Sequence, residues 1–232
     1  MTLLLNPMKL TAAQQRLLLN LQKRKERERL GLCIVEGEKF THDVKEFVEF
    51  SFTDRDTPIF REIITTENPQ RSAAVARVPK WTLEDVLKCQ TVMVLDAVQD
   101  PGNVGTLLRL ALGFNAGIIL VECAEVGNPK TVRGSAGALF YAPWVTVERD
   151  VIENVLAESA VPIYRLELKK GAISPEKLPA GPLVLVVGSE GKGIKIGVKG
   201  ASVAVRHNKK LESLNVAVAT GIVLYTRYSQ QE

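Results

Sequence analysis

The sequence predicts an α/β protein: a parallel sheet covered by helices on both faces, preceded by a small mixed α/β domain. Three observations lead there. From residue 91 onward, short β-branched runs alternate with helical stretches, the runs are apolar on both sides, and glycine-rich turns stand where they end. Two-sided apolar strands separated by helices belong to parallel sheets buried on both faces. Open sheets of this kind bind ligands at the carboxyl ends of their strands.

The 232 residues suffice for one large domain or two small ones without disulfide or metal staples. Hydrophobic content of 46% and charged content of 24% place the chain among globular proteins rather than disordered or fibrous ones. The net charge of +4 is a mild bias towards an acidic partner. Cys33, Cys89 and Cys123 are widely spaced with no Cys-x-x-Cys pair, so reduced thiols in a cytoplasmic compartment are expected. His42 and His207 are too few for a zinc site, and no metal is expected. The opening "MTLLLNPMKL" is too short, and too soon broken by Pro7 and Lys9, to read as a secretory signal. No apolar run reaches membrane-spanning length, so no membrane partner is expected.

The elements follow in order. "LQKRKERERLG" (21–31) carries Lys23, Arg24, Lys25, Arg27 and Arg29 against Glu26 and Glu28. It reads either as a solvated helix face laced with i,i+4 pairs or as a basic ridge for phosphates. "LCIVEGEKFTHDVKEFVEF" gives a short strand, a glycine turn and a helix. "VEFSFTD" and "FREIITTE" read as further strands, and "NPQRSAAVARVPKWTLEDVLKC" as breakers plus a short helix, with a linker near 79–90. The domains are therefore set at 1–88 and 89–232. In the second, "TVMVLDAV", "GIILVEC", "WVTVE", "VPIYRLEL", "PLVLVVG" and "ASVAV" are the strands. Helices are expected near 104–114, 129–139 and 150–160. The last segment, "SLNVAVATGIVLYTRY", is a helix apolar nearly all round, which calls for burial in a core or a subunit interface.

Three turns carry the chemistry. In "LDAVQDPGNVGTLLRLALGF" (95–114) a strand ends at Asp96, Pro101-Gly102 makes a turn, and Asn103 can cap the helix that runs through Arg109. The spacing of "GNVGTLLR" is wrong for a dinucleotide fingerprint, and "GSEGKGI" is not a Walker loop. Its glycines allow close backbone approach, and Glu190 at its centre suits a cation or a hydroxyl proton better than a polyphosphate. In "VAVRHNKKLESLNVAVATG" (203–221), Ser213 or Asn215 can cap the final helix. Each turn taken alone also has a purely structural reading, as a cap, a surface charge or a strand-to-helix connection.

Together and in this order they resemble the three motifs of the SpoU (TrmH-type) ribose 2′-O-methyltransferases, of the SPOUT class. The likeness spans about 91–228, including "VRGSAGALF" (132–140), and "NPMK…LQKRKERERLGLCIVEG" resembles the family's RNA substrate-binding domain. The resemblance implies a C-terminal trefoil knot, an exception to the rule against threading, a homodimer formed through it, and S-adenosylmethionine as methyl donor. Gly188, Val205 and Leu214 match the donor contacts, the glycines making room for the donor. Asn103, Arg109, Glu190, Ser213 and Asn215 match the active-site positions. Lys23, Arg24, Lys25, Arg27 and Arg133 are the implied RNA contacts, ribosomal RNA being favoured over transfer RNA. Arg109 matches an arginine that acts from the partner subunit; a guanidinium is essentially always protonated, so holding phosphate and alkoxide suits it better than general-base work. Glu190 is the candidate proton acceptor.

Two departures stand out. Val205-Arg206-His207 replaces the usual Ile-Pro-Met, removing a proline that would stiffen the loop. "GIKIGVKGA" (193–201) is shorter than usual, which implies a truncated helix there. The altered loop keeps open a second reading, a knotted RNA-binding assembly factor without turnover. A nucleotide- or NAD-dependent enzyme lacks both phosphate fingerprints.

Overall fold

The computed structural model describes residues 10–64 and 66–230. The signal-sequence reading and the "NPMK" stretch fall largely outside these residues. The chain opens with α1 (Ala12–Asn20), held by a capping box between Thr11 and Gln14, and α2 (Arg24–Leu30), which ends on Gly31 in the left-handed region. Then come β1 (Leu32–Glu36), α3 (Glu38–Asp43), β2 (Val48–Thr53), α4 (Phe60–Ile63) and β3 (Ser72–Arg77). β3 lies between β1 and β2, antiparallel to both.

Two expectations fail in this part. "FREIITTE" is not a strand: its first half forms the single turn α4, because Phe60 and Ile63, three apart, share a face that packs with Phe52 and Leu18 in a small core. The central strand β3 lies in a stretch read as breakers. Its alanines have low strand propensity, and pairing on both edges overrides that.

After α5 (Leu83–Leu87), which has its own capping box between Thr82 and Asp85, the second sheet begins. It is built from β4 (Thr91–Asp96), α6 (Pro101–Gly113), β5 (Ala116–Val121), α7 (Pro129–Ser135), β6 (Trp144–Thr146), α8 (Arg149–Ala157), β7 (Ile163–Leu166), β8 (Leu183–Gly188), β9 (Ala201–Val203) and α9 (Val216–Tyr228). The strand order is β6-β5-β4-β8-β7-β9, and every pair is parallel. The six strands are those expected from the sequence, and no helix forms between Gly193 and Ala201.

Strand alternation sorts the core. Met93 and Leu95 of β4, with Leu185 and Val187 of β8, face α6, α7 and α9, whereas Val92, Val94, Val184 and Val186 face α5 and α8. The first of these cores continues into the small sheet through Cys33, Val35, Ala74 and Ala76, so the two sheets share packing. Phe47 against Phe140, 5.1 Å between ring centroids, and the Tyr141 hydroxyl on the Asp43 carbonyl at 2.7 Å extend that joint.

Helices α6 and α7 cross where both are glycine. A Cβ built on Gly105 would lie 2.6 Å from the Thr131 carbonyl oxygen and 2.9 Å from Gly134 backbone atoms. Backbone cannot yield as a side chain can, so Gly105→Ala is expected to cost about 3 kcal/mol, the upper end of overpacking penalties. Urea unfolding measures this; an unchanged midpoint would contradict so close a crossing.

Candidate functional site

The three sequence turns meet at the carboxyl end of the parallel sheet. Helix α6 begins earlier than expected, at Pro101, because Asp100 caps it by accepting from the Asn103 amide at 2.8 Å. Proline at the first helical position is favoured, since its missing N–H has no helical partner there. Asn103 is therefore not the cap. It sits inside the first turn with its side chain free to reach across to another loop.

That loop is the turn after β8. Glu190 Oε1 accepts from Asn103 Nδ2 at 3.1 Å, from Asn215 Nδ2 at 2.9 Å and from the Val216 amide at 3.3 Å. Asn215 Nδ2 also donates to Asn103 Oδ1 at 2.9 Å. Meanwhile Asn215 Oδ1 caps α9, accepting from the Ala217 and Val218 amides at 3.0 and 3.2 Å. Asn215 thus spends its carbonyl on the helix and both amide hydrogens on the cluster, a division that an ionised aspartate, with no donor, could not make. Residues 112 positions apart are joined around one carboxylate oxygen. Ser213, the other candidate cap, is exposed and caps nothing.

Gly188 ends β8. A Cβ there would lie 2.3 Å from the Gly193 carbonyl carbon and 2.5 Å from the Ile194 nitrogen. The returning backbone packs on the side where a side chain at 188 would lie, so this position requires glycine. Val205, Ser213 and Leu214 instead line a shallow pocket of about 120 Å³ with Leu166, Glu167 and Glu212. The His207 ring contacts the Val205 carbonyl through Nδ1 at 3.0 Å, which closes the loop that lacks its proline. Gly188 stands apart from the pocket lining.

Arg109 is exposed on α6, and its side chain enters no hydrogen bond or ion pair among the described residues. Arg133 is also exposed; it lines a separate cleft of about 870 Å³ between the small sheet and α7, with Lys39, Lys130 and Glu36. Lys23, Arg24 and Lys25 are exposed at the start of α2, where Arg24 pairs with Glu28 at 2.7 Å. Arg27 is not part of that exposed ridge. It is 7% exposed, forms a double bridge to Glu125 (2.7 and 2.5 Å) and donates to the Leu21 and Gln22 carbonyls. One turn of helix carries three basic side chains to solvent and buries the next.

Asp96, Asp100 and Arg149 were not singled out by sequence reasoning. Aspartate before Pro101 was a readable cap signal; the partners of Asp96 lie 53 and 99 or more positions away and leave no local trace.

An open parallel sheet whose strand-end turns converge on a shared Asn–Glu–Asn cluster, with the Val205–Leu214 pocket next to Asn215 in the chain, defines an α/β protein with a candidate site at the carboxyl ends of its strands. Comparison with known proteins narrows the class. Residues 90–225 match the SpoU rRNA Methylase family. The chain is 31% identical over 230 residues to the 23S rRNA (guanosine(2553)-2′-O)-methyltransferase RlmP of Bacillus subtilis, covering 88% of this chain and 92% of that one. It is 31% identical over 182 residues to the 23S rRNA (adenosine(1067)-2′-O)-methyltransferase of Streptomyces azureus, over 74% of this chain and 67% of that one. In fold it is similar to an AdoMet-bound rRNA methyltransferase from Sinorhizobium meliloti, with a TM-score of 0.84, 23% identity and 97% of each chain covered. The chain belongs to the SpoU rRNA Methylase family.

Proposed function

We propose that the protein transfers a methyl group from S-adenosylmethionine to a ribose 2′-hydroxyl of structured RNA, ribosomal RNA in preference to transfer RNA. The observation that carries this reading is the Asn103–Glu190–Asn215 cluster, which joins all three motif turns beside the Val205–Leu214 pocket. Family membership supports the reaction, and the names of the two 23S rRNA relatives support the substrate class.

The residues present fit the donor. Leu166 and Leu214 offer apolar walls to an adenosine, and Glu212 offers negative charge to a sulfonium, the Glu167 carboxylate being already paired with Arg165 and Lys169. When bound, the donor supplies an already activated methyl group. What remains for the chain is to align the hydroxyl with it and to handle one proton. Glu190 Oε1 is occupied by three N–H donors, while Oε2 has no hydrogen bond among the described residues and takes the ribose proton. Asn103 and Asn215 hold that carboxylate still. Val205 and Leu214 contribute backbone groups to the donor from the pocket and Gly188 does so from the end of β8, with Ser213 orienting the loop between Val205 and Leu214.

The homodimer belongs to the same proposal. Val218, Ile222 and Tyr225 of α9 follow one another at helical spacing and are 54%, 40% and 64% exposed, with Leu112 of α6 at 43%. Apolar side chains at this density on one side of a fold support association with a second copy. Arg109 precedes Leu112 by three residues on α6 and so shares its side of the helix. From there it reaches the partner's site and holds the phosphate and developing alkoxide. A trefoil knot in the C-terminal chain and a cytoplasmic location complete the reading; no helix among the described residues is long and apolar enough to cross a membrane.

Lys23, Arg24, Lys25 and Arg133 form the RNA contacts of this proposal, without Arg27. Binding through phosphates should weaken steeply with salt. The test is transfer of labelled methyl groups to separated ribosomal and transfer RNA. Label in ribosomal RNA is the expected result; label confined to transfer RNA would overturn the preference. A folded dimer that binds RNA but transfers no label would favour the assembly-factor reading.

A further inference from the structure

We infer that Asp96 and Arg149 are positioning residues for this reaction, fixing where the Glu190 turn stands against Asn103 and Asn215; the inference rests on the proposed methyl transfer. Asp96 closes β4 with no solvent exposure, in register with Gly188 at the end of β8. Its Oδ2 accepts from the Ile196 amide at 2.7 Å and from the Lys195 amide, and its Oδ1 accepts from Arg149 Nη2 at 2.9 Å. The next amide, Gly197, donates to Glu153 Oε1 at 2.8 Å. Three successive amides of the returning leg are thus held by two carboxylates, and between them the Ile196 side chain is buried against the α8 face of the sheet.

The other leg of the loop starts at Gly188. Ser189 and Gly193 bridge the two legs, with the Gly193 amide on the Ser189 carbonyl at 3.0 Å. Glu190 stands in the turn that this bridge closes. With one leg continuing β8 and the other nailed to the end of β4, the turn has little freedom to move its carboxylate. The same strand end leads into Asp100 and Asn103, so Asp96 ties the turn that carries the carboxylate to the segment that carries its donor.

Arg149 holds Asp96 in turn. Its Nη2 donates to both Asp96 and Glu122, the latter at 2.7 Å, and these hydrogen bonds raise its pKa further. A buried carboxylate is costly unless its charge and lone pairs are met. Here every partner but Arg149 is the backbone of the loop that leads back from Glu190. Displacement of a reacting group by about 1 Å costs about 100-fold in rate.

Asp96→Asn keeps the shape and removes the charge, and its single NH2 must then face either the loop amides or Arg149, which are donors in both cases. Arg149→Gln, at a partly exposed position, leaves the loop bonds but loosens the carboxylate. The expected result is a fall in kcat of about 100-fold for Asp96→Asn and about tenfold for Arg149→Gln, with KM for donor and for RNA within about twofold of wild type. In ¹⁵N spectra of the full chain, the side-chain amide peaks of Asn103 and Asn215 should move in both variants. Unchanged peaks and unchanged kcat in a folded variant would overturn the inference, as would a loss wholly accounted for by lower melting temperature. If Asp96→Asn does not fold, Arg149→Gln decides. A wild-type protein that transfers no methyl group would count against the proposed function, and the amide peaks would still decide this inference.

Discussion

Arg109→Ala is expected to lower kcat/KM for methyl transfer by about 100- to 1,000-fold, the range found when one preorganised donor to a developing oxyanion is removed. It should do so with no change in unfolding free energy. The side chain is exposed and engages nothing among the described residues, so its removal leaves no cavity and no orphaned partner. That combination is unusual: a side chain idle within its own protomer that is indispensable to the reaction. It follows from the proposed geometry, in which Arg109 acts across a dimer interface. Mixing Arg109→Ala with an inactive Glu190→Gln protein sharpens the test. If the arginine serves its partner's site, mixed dimers carry one site with both native side chains and regain part of the activity. Recovery of none in confirmed mixed dimers would place Arg109 in its own subunit's site.

The second large effect is on stability. Arg27→Ala is expected to cost about 3–5 kcal/mol, because it leaves Glu125 buried and unpaired. Both side chains are only 7% exposed, and Arg27 also satisfies the carbonyls of Leu21 and Gln22 at the end of the first helical segment. Arg24→Ala, three positions away in an exposed pair with Glu28, should cost less than about 1 kcal/mol. Denaturant unfolding of the two variants gives the comparison. Equal, small losses would mean that the buried bridge contributes no more than a surface one. Because Glu125 follows β5 and Arg27 precedes β1, this bridge also ties the small sheet to the large one. If the proposed RNA surface holds, Arg27→Ala should therefore weaken RNA binding indirectly, whereas Arg24→Ala should do so only through the one phosphate contact proposed for it.

The parallel sheet was legible because its strands are apolar on both sides and rich in valine, isoleucine and leucine, a pattern that little else produces. The small sheet was less so. β3 is alanine-rich and exists because β1 and β2 flank it, a condition that no window of sequence contains. The start of α6 was misplaced by reading Pro101-Gly102 as a turn, when Asp-Pro was the cap followed by the first helical residue. At the site, the three motif turns were readable in order, and Asn103, Glu190 and Asn215 do converge. What could not be read was how each is held. Arg27 looks like its neighbours until helix phase and Glu125, nearly a hundred positions on, decide that it faces inward. Nothing near Gly188 in the sequence tells that the backbone of Gly193 and Ile194 packs where its side chain would be. Asp96 reads as the end of a strand, and only the fold brings Arg149 and the Lys195–Ile196 amides to it.

The most direct test of the central claim is alkaline hydrolysis of ribosomal RNA labelled by the protein with methyl-labelled S-adenosylmethionine. A methylated 2′-oxygen cannot attack the adjacent phosphate, so the label should survive in one alkali-resistant dinucleotide and be absent when Glu190→Gln replaces the wild type. Label released as a mononucleotide would mean methylation of a base, and would contradict the assignment of Glu190, Asn103 and Asn215 to a ribose hydroxyl.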